Sequence, residues 1–270
     1  MKRPDAVLDR VMEKKVMIFD GDGTLYIDTK KTPGAAAFLD YVAKAGKKFA
    51  IMTNNSSYSK RHHMERVGRT LGRKLGDDEL FVSTEAAANY LRDRGAGRAF
   101  IVGTPDCVED FRLRGVRFEE DDPDAVVIAF DRTLTYGKVR RAAGLIMKGK
   151  PYILTNPDMV CPTKGGYIPD AGSIAAMIKS ATNKEPMAVT GKPSKIFLDH
   201  VLRELDAESS ECVMFGDRVY TDIAMANDAG VLSVLLLTGE TKAKDVRGTR
   251  GPDIVIDSFG DLLHTLTRKA

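Results

Sequence analysis

Short apolar runs alternate along this chain with stretches whose apolar positions recur every three to four residues. This is the pattern of a parallel sheet joined by crossover helices. The runs predict strands over Val16–Asp20, Phe49–Thr53, Ala99–Val102, Ala125–Phe130, Tyr152–Thr155, Met187–Val189, Cys212–Phe215, Ser233–Leu236 and Ile254–Ile256. Between them the periodicity predicts helices over Ala35–Lys44, Lys60–Leu71, Glu85–Arg94, Val108–Arg114, Lys138–Met147, Ser173–Ser180, Lys195–Leu205 and Asp222–Ala229, with a last one after Phe259. Ser59, Thr84, Ser194 and Thr221 stand where N-caps belong, and Gly46, Gly72, Gly95 and Gly149 follow helix ends. The fold class is α/β. No long repeat or charged tail breaks the alternation, although Ile51-Met52-Thr53-Asn54-Asn55 has a short echo in Ile153-Leu154-Thr155-Asn156-Pro157.

Composition excludes more than it selects. With 43% apolar and 29% charged residues, the 270-residue chain matches globular usage and needs no disulfide or metal staple merely to fold. Its 41 basic and 38 acidic residues leave a charge of +3, too slight to indicate a nucleic-acid partner, and none is expected. The basic run Arg66, Arg69, Arg73 and Lys74 has no interleaved aromatic residue and reads as a solvated helix face. Cys107, Cys161 and Cys212 are odd in number and far apart, which suits reduced packing residues rather than a disulfide framework or a zinc site. No apolar stretch near the amino terminus has the makings of a secretory signal, and runs such as Val234–Leu237 fall far short of the ~20 residues that cross a bilayer. A cytoplasmic protein without membrane attachment is therefore expected.

The chemistry gathers at strand ends. Val16–Asp20 runs into Asp20-Gly21-Asp22-Gly23-Thr24, and two carboxylates one residue apart project to the same side if the extended geometry persists. Such crowding requires a shifted pKa or a cation between them. A calcium EF-hand fails on spacing, because Thr24, Leu25 and Lys31 occupy its fifth, sixth and twelfth positions. A dinucleotide fingerprint fails at Tyr26, where its third Gly should stand, and the remaining rival is a solvated Asp-Gly turn. Three further strand ends weigh against that rival. Thr53-Asn54-Asn55 supplies a hydroxyl and amides, Lys192 stands between a strand and a helix N-terminus, and Gly216-Asp217 leads through to Asp222.

Asp20-Gly21-Asp22-Gly23-Thr24, Thr53, Lys192 and Gly216-Asp217 through Asp222, in that order, resemble the four motifs of the haloacid dehalogenase (HAD) superfamily of phosphatases. Gly21 departs from the bulkier residue of many relatives and is expected to loosen the loop. From Asp20 to Thr53 is 33 residues and from Lys192 to Asp217 is 25, each near one strand-helix unit, but Thr53 to Lys192 is 139. The surplus is enough for an inserted domain. We therefore expect a discontinuous core over 1–82 and 184–270 and an inserted α/β domain over 83–183. Within the insert, Ala125 to Lys138, Thr155-Asn156-Pro157-Asp158 and Pro162-Thr163-Lys164 resemble the large cap of the NagD-like or 4-nitrophenylphosphatase-like subfamily. The resemblance implies a Rossmann-like parallel-sheet core carrying that cap.

It also implies roles. Asp20 would be the nucleophile forming an aspartyl phosphate, Asp22 the general acid and then base, and Lys192 the fixed cation at the transferring oxygens. Thr53 and Asn54 would donate hydrogen bonds to the phosphate. Mg²⁺ would be held by Asp20, Asp217 and the backbone carbonyl of Asp22, with Asp222 orienting those ligands. Asp131, Asn156 and Asp158 follow cap strands and are read as turn residues more than as substrate contacts, and the adjacent His62 and His63 as no metal site. The implied substrates are small phosphorylated metabolites: sugar phosphates, nucleoside monophosphates, glycerol phosphate or phosphoglycolate, with 4-nitrophenyl phosphate as an artificial one. A cap-to-cap homodimer is a further implication. Two alternatives stay open at this point, a phosphotransferase or phosphomutase on the same core and a binding module that has lost catalysis.

Overall fold

A computed structural model describes residues 9–163, 165–246 and 251–267. The residues Met1 to Asp5 and Lys164, which entered the reading of the amino terminus and the cap, lie outside them. By contacts the chain forms two compact units. The first falls within Met1–Thr53, Met64–Phe81 and Val201–Ala270, the second within Asn54–His63 and Val82–His200. Relative to the boundaries expected from spacing, residues 54–63 and 184–200 group with the second unit.

In the first unit, β1 (Val16–Asp20) is followed by α1 (Ala35–Lys44), β2 (Lys48–Thr53), α2 (Lys60–Leu71) and β3 (Leu80–Val82). The sheet has the order β13-β12-β11-β1-β2-β3, where β11 is Cys212–Gly216, β12 Leu232–Leu236 and β13 Ile254–Ile256. The pairings from β13 through β2 are parallel. Strands buried on both faces read as unbroken apolar runs, and Met17, Ile18 and Phe19 and their neighbours Val213, Met214 and Phe215 are fully buried. Phe19 stacks on Phe215 at 4.8 Å and meets Phe38 of α1 and Phe259 of the last helix edge-on, at 6.2 and 5.7 Å. Truncation of a ring this enclosed removes both its burial and its edge contacts. Phe19→Ala is expected to cost about 3–5 kcal/mol of stability, read as a fall in the denaturant midpoint with the slope unchanged.

In the second unit the sheet order is β10-β7-β6-β4-β5, with every pairing parallel: β4 is Arg98–Val102, β5 Arg117–Phe118, β6 Ala125–Ile128, β7 Tyr152–Leu154 and β10 Ala188–Val189. Helices α3 (Ser83–Arg92), α4 (Pro105–Leu113), α5 (Tyr136–Met147) and α6 (Ala171–Thr182) cover it. An antiparallel pair, β8 (Val160–Thr163) and β9 (Gly166–Pro169), precedes α6. Then α7 (Lys195–Leu205) leads the chain to β11, and α8 (Ala224–Ala229) and α9 (Phe259–Thr267) complete the helices. The α/β class and the parallel sheets are as the alternation predicts.

The differences have local causes. β3 is too short to show a period, and the prolines Pro162 and Pro169 disguise the β8–β9 pair. α4 begins at Pro105, three residues before its predicted start, because Thr104 caps it by accepting from Cys107 N at 3.2 Å. Thr84 is not a cap. Glu85 accepts from Val82 N at 2.8 Å at the start of α3, and Thr84 Oγ1 donates instead to Asp110 Oδ2 at 2.5 Å. Thr221 lies inside a π-helical turn, Val219–Ile223, that delays α8 to Ala224.

Candidate active site

In the first unit, register brings the chemistry to one edge. Phe19 pairs with Phe215 and Asp20 with Met52, so Asp20 ends β1 level with Gly216 on one side and one residue short of Thr53 on the other. The strand order reverses between β1 and β11, and ligands of open α/β sheets bind beyond the carboxyl ends at such a point. Asp20, Asp217 and Asp222 each offer one carboxylate oxygen, and these oxygens lie within 4.8 Å of one another. Among the described residues this is the acidic or metal-ligating cluster so arranged. Asp217 and Asp222 are buried, at 2% and 1% exposure.

Glycines make the cluster possible. A Cβ at Gly23 or Gly239 would collide with the Asp217 carboxylate, and one at Gly216 with that of Asp222. Asp217 Oδ2 accepts from the backbone N–H of Glu240 at 2.7 Å, and Thr238 Oγ1 donates to Gly23 O at 2.6 Å, tying the loop after β12 to the loop after β1. Three carboxylates this close, two of them buried and Asp20 half-buried, repel one another unless protonated or bridged by a cation. A hard, all-oxygen donor set with glycine-cleared space suits a divalent cation of the magnesium or calcium type. Asp222, expected to orient the ligands, itself brings a carboxylate oxygen within 4.8 Å of those of Asp20 and Asp217. The Asp22 carboxylate is outside the cluster.

Asp22 lies on a tight turn closed by Gly23 N–H donating to Tyr26 O at 2.7 Å and Leu25 N–H to Gly21 O at 2.9 Å. Packing around its carboxyl raises its pKa above the usual value, opposed by the positive charges of Arg66 and Arg218. Gly21 does not loosen this turn. The buried Tyr26 hydroxyl fills the space where a Gly21 Cβ would stand, and Arg66 lies over the Tyr26 ring at 5.4 Å. The basic run is likewise more than a solvated face: Arg73 covers the Phe49 ring at 4.8 Å and reaches Asp40 at 3.6 Å.

In the second unit, Lys192 is buried at 3% exposure. Its backbone N–H donates to Asn54 Oδ1 at 2.8 Å, and its carbonyl accepts from Asn54 Nδ2 at 3.0 Å. The segment after Asn54, a polar stretch that reads as a turn, is instead pinned by side chains. Ser56 Oγ meets Thr155 Oγ1 at 2.9 Å and accepts from Phe130 N, and Thr104 Oγ1 donates to Ser57 O at 2.8 Å. Lys60 reaches the buried Glu85 at 3.0 Å, where Arg114 also binds at 2.9 Å. Burial raises the Glu85 carboxyl above its usual range, and both cations oppose the rise. The two echo sequences thus meet at their tails, Asn156 Nδ2 donating to Asn54 O at 2.9 Å.

Asp131 is a turn residue, as expected: its Oδ1 accepts from Thr133 N–H at 2.8 Å, and its other oxygen pairs with Lys138 at 2.6 Å. Asp158 is more than that, accepting from Asn54 Nδ2 at 2.9 Å. His62 stacks on Tyr58 with centroids 4.2 Å apart, and His63 Nε2 bonds Asn55 O at 2.8 Å. No helix among the described residues is long and apolar enough to cross a membrane.

Comparison with known proteins adds an independent line. A haloacid dehalogenase-like hydrolase model matches residues 17–117, and a HAD-hydrolase-like model matches residues 189–262. The chain is 30% identical to the ribonucleotide monophosphatase NagD of Escherichia coli (strain K12), over 87% of this chain and 92% of that one. A solved 4-nitrophenylphosphatase from Thermotoga maritima is 37% identical with a TM-score of 0.89, covering 94% of this chain and 98% of that one. A glycerol phosphate phosphatase of Mycobacterium tuberculosis, solved in complex with calcium, has a TM-score of 0.86 at 28% identity, covering 94% of this chain and 76% of that one.

Proposed function

The chain belongs to the haloacid dehalogenase-like hydrolases and is a NagD-like phosphate-monoester hydrolase, and from that premise we propose that it works through an aspartyl phosphate on Asp20 with magnesium as its cation. The observation that carries the reading is the Asp20, Asp217 and Asp222 cluster at the strand-order reversal. In this mechanism an Asp20 oxygen attacks phosphorus and the ester oxygen leaves as Asp22 gives it a proton. Asp22 then takes a proton from water, whose oxygen attacks the phosphoryl group, returning the Asp20 carboxylate and releasing inorganic phosphate. Lys192 lends fixed positive charge to the transferring oxygens, and Thr53 and the backbone N–H of Asn54 donate hydrogen bonds to them. Asp20, Asp217 and the Asp22 carbonyl, with Asp222 beside them, would hold the cation, which would supply the charge neutralisation that lets a carboxylate approach an anionic phosphate.

The second unit is the cap of this reading, and the substrates are small monoesters: sugar phosphates, nucleoside monophosphates, glycerol phosphate or phosphoglycolate. The buried free thiols of Cys107 and Cys212, both pushed up in pKa by burial, support residence in a reducing compartment such as the cytoplasm. Exposed Met159, Val160 and Tyr167 on the second unit support a homodimer. The test is phosphate release from 4-nitrophenyl phosphate and a panel of these esters, with Mg²⁺ and with EDTA. Turnover that stops in EDTA and returns with excess Mg²⁺ is expected. Turnover undiminished by EDTA contradicts the metal assignment.

A further inference from the structure

A carboxamide has two N–H donors and one acceptor oxygen, so its commitments can be counted. Asn54 Nδ2 lies 2.9 Å from Asp158 Oδ2 and 3.0 Å from Lys192 O, and Oδ1 accepts from Lys192 N–H at 2.8 Å. Both donors are taken. The carboxamide pairs with the N–H and C=O of a single residue, as a neighbouring strand would, and so fixes the backbone that carries the lysine. Its own backbone is fixed in turn, since Asn54 O accepts from Ser83 Oγ at 3.0 Å and Asn156 Nδ2 at 2.9 Å. Gly191 allows the approach, because a Cβ there would come within 2.7 Å of Asn54 Oδ1.

We propose that the Asn54 side chain is a positioning group, a clamp holding the Lys192 backbone and the Asp158 carboxylate in fixed relation, and not a donor to the phosphate. Asp158 thereby becomes part of the machinery that sets the lysine. Any contact of Asn54 with phosphate falls to its backbone N–H. This inference rests on the reading of Lys192 as the cation at the transferring oxygens.

A double-mutant cycle on 4-nitrophenyl phosphate tests it, with inorganic phosphate as product inhibitor. Asn54→Ala is expected to lower kcat by about 10–100-fold while KM and the phosphate inhibition constant stay within about threefold. In a Lys192→Ala background the same change is expected to cost less than about threefold, because a group acting through the lysine has nothing left to position. Losses that multiply, with phosphate inhibition weakened by about tenfold or more, would overturn the clamp alone. Near-normal kcat in Lys192→Ala by itself would overturn the lysine reading and the clamp with it. Should Asn54→Ala fail to fold, Asn54→Asp carries the test, since its carboxylate faces that of Asp158. Asn54→Asp keeps the bond from Lys192 N–H but no longer donates to Lys192 O, so in the Lys192→Ala background it too is expected to cost less than about threefold, and losses that multiply overturn the proposal.

Discussion

Asp20→Asn is expected to keep its fold and to lower kcat on 4-nitrophenyl phosphate by at least about 10³-fold. A carboxamide is nearly the shape of the carboxylate but is a far poorer nucleophile, and uncatalysed monoester hydrolysis is among the slowest of reference reactions. Little residual pathway is available once the attacking oxygen is gone. The fold should survive because Asp20 terminates β1 rather than filling the core, whose weight rests on Met17, Ile18 and Phe19. Steady-state kinetics beside a thermal melt separate the two effects. Near-normal turnover by protein whose intact mass confirms Asn at position 20 contradicts the nucleophile assignment.

Asp217→Asn is expected to keep its fold as well and to lose its response to metal. One carboxylate oxygen each of Asp20, Asp217 and Asp222 lies within 4.8 Å of the others, and with no cation bound, neutralising one carboxylate relieves their repulsion. The asparagine keeps an oxygen to accept from Glu240 N–H, the bond that Asp217 makes at 2.7 Å. The variant without metal should therefore melt no lower than the wild type without metal. Wild-type protein gains about 2.7 kcal/mol when the metal is at 100 times its dissociation constant, and the variant should gain almost none. Its half-activating Mg²⁺ concentration should rise by about 10²-fold or more. A melting shift on adding Mg²⁺ as large as the wild type's would remove Asp217 from the ligand set.

Much of this was legible along the chain because buried parallel strands announce themselves. Val16–Asp20 and Cys212–Gly216 are apolar runs covered on both faces, each ending at a Gly/Asp change that marks the carboxyl edge of a sheet. The carboxylates proposed as catalytic lie at those changes, so alternation and motif spacing agree. What stayed hidden is chemistry between positions far apart. Asn54 contacts Lys192 across 138 residues and Asp158 across 104, and no local pattern encodes a side-chain hydrogen bond of that reach. The same holds for Ser56 with Thr155 and Lys60 with Glu85, bonds that draw the 54–63 segment into the second unit. The resemblance gives Asp222 only the orienting of ligands, whereas the π-helical turn Val219–Ile223, where a regular helix was expected from Asp222, holds its carboxylate within 4.8 Å of the other two. Gly21 looked permissive because the Tyr26 hydroxyl that fills its missing Cβ is five residues further on.

A phosphoryl group that passes through Asp20 can be caught there. Wild-type protein turning over 4-nitrophenyl phosphate with Mg²⁺ would be quenched in acid, digested and mapped by mass spectrometry, with Asp20→Asn treated alongside. A phosphoryl group is expected on the wild-type peptide carrying Asp20, absent in the variant and absent when EDTA is added before substrate. A phosphorylated peptide elsewhere in the chain, still present in Asp20→Asn, would contradict it.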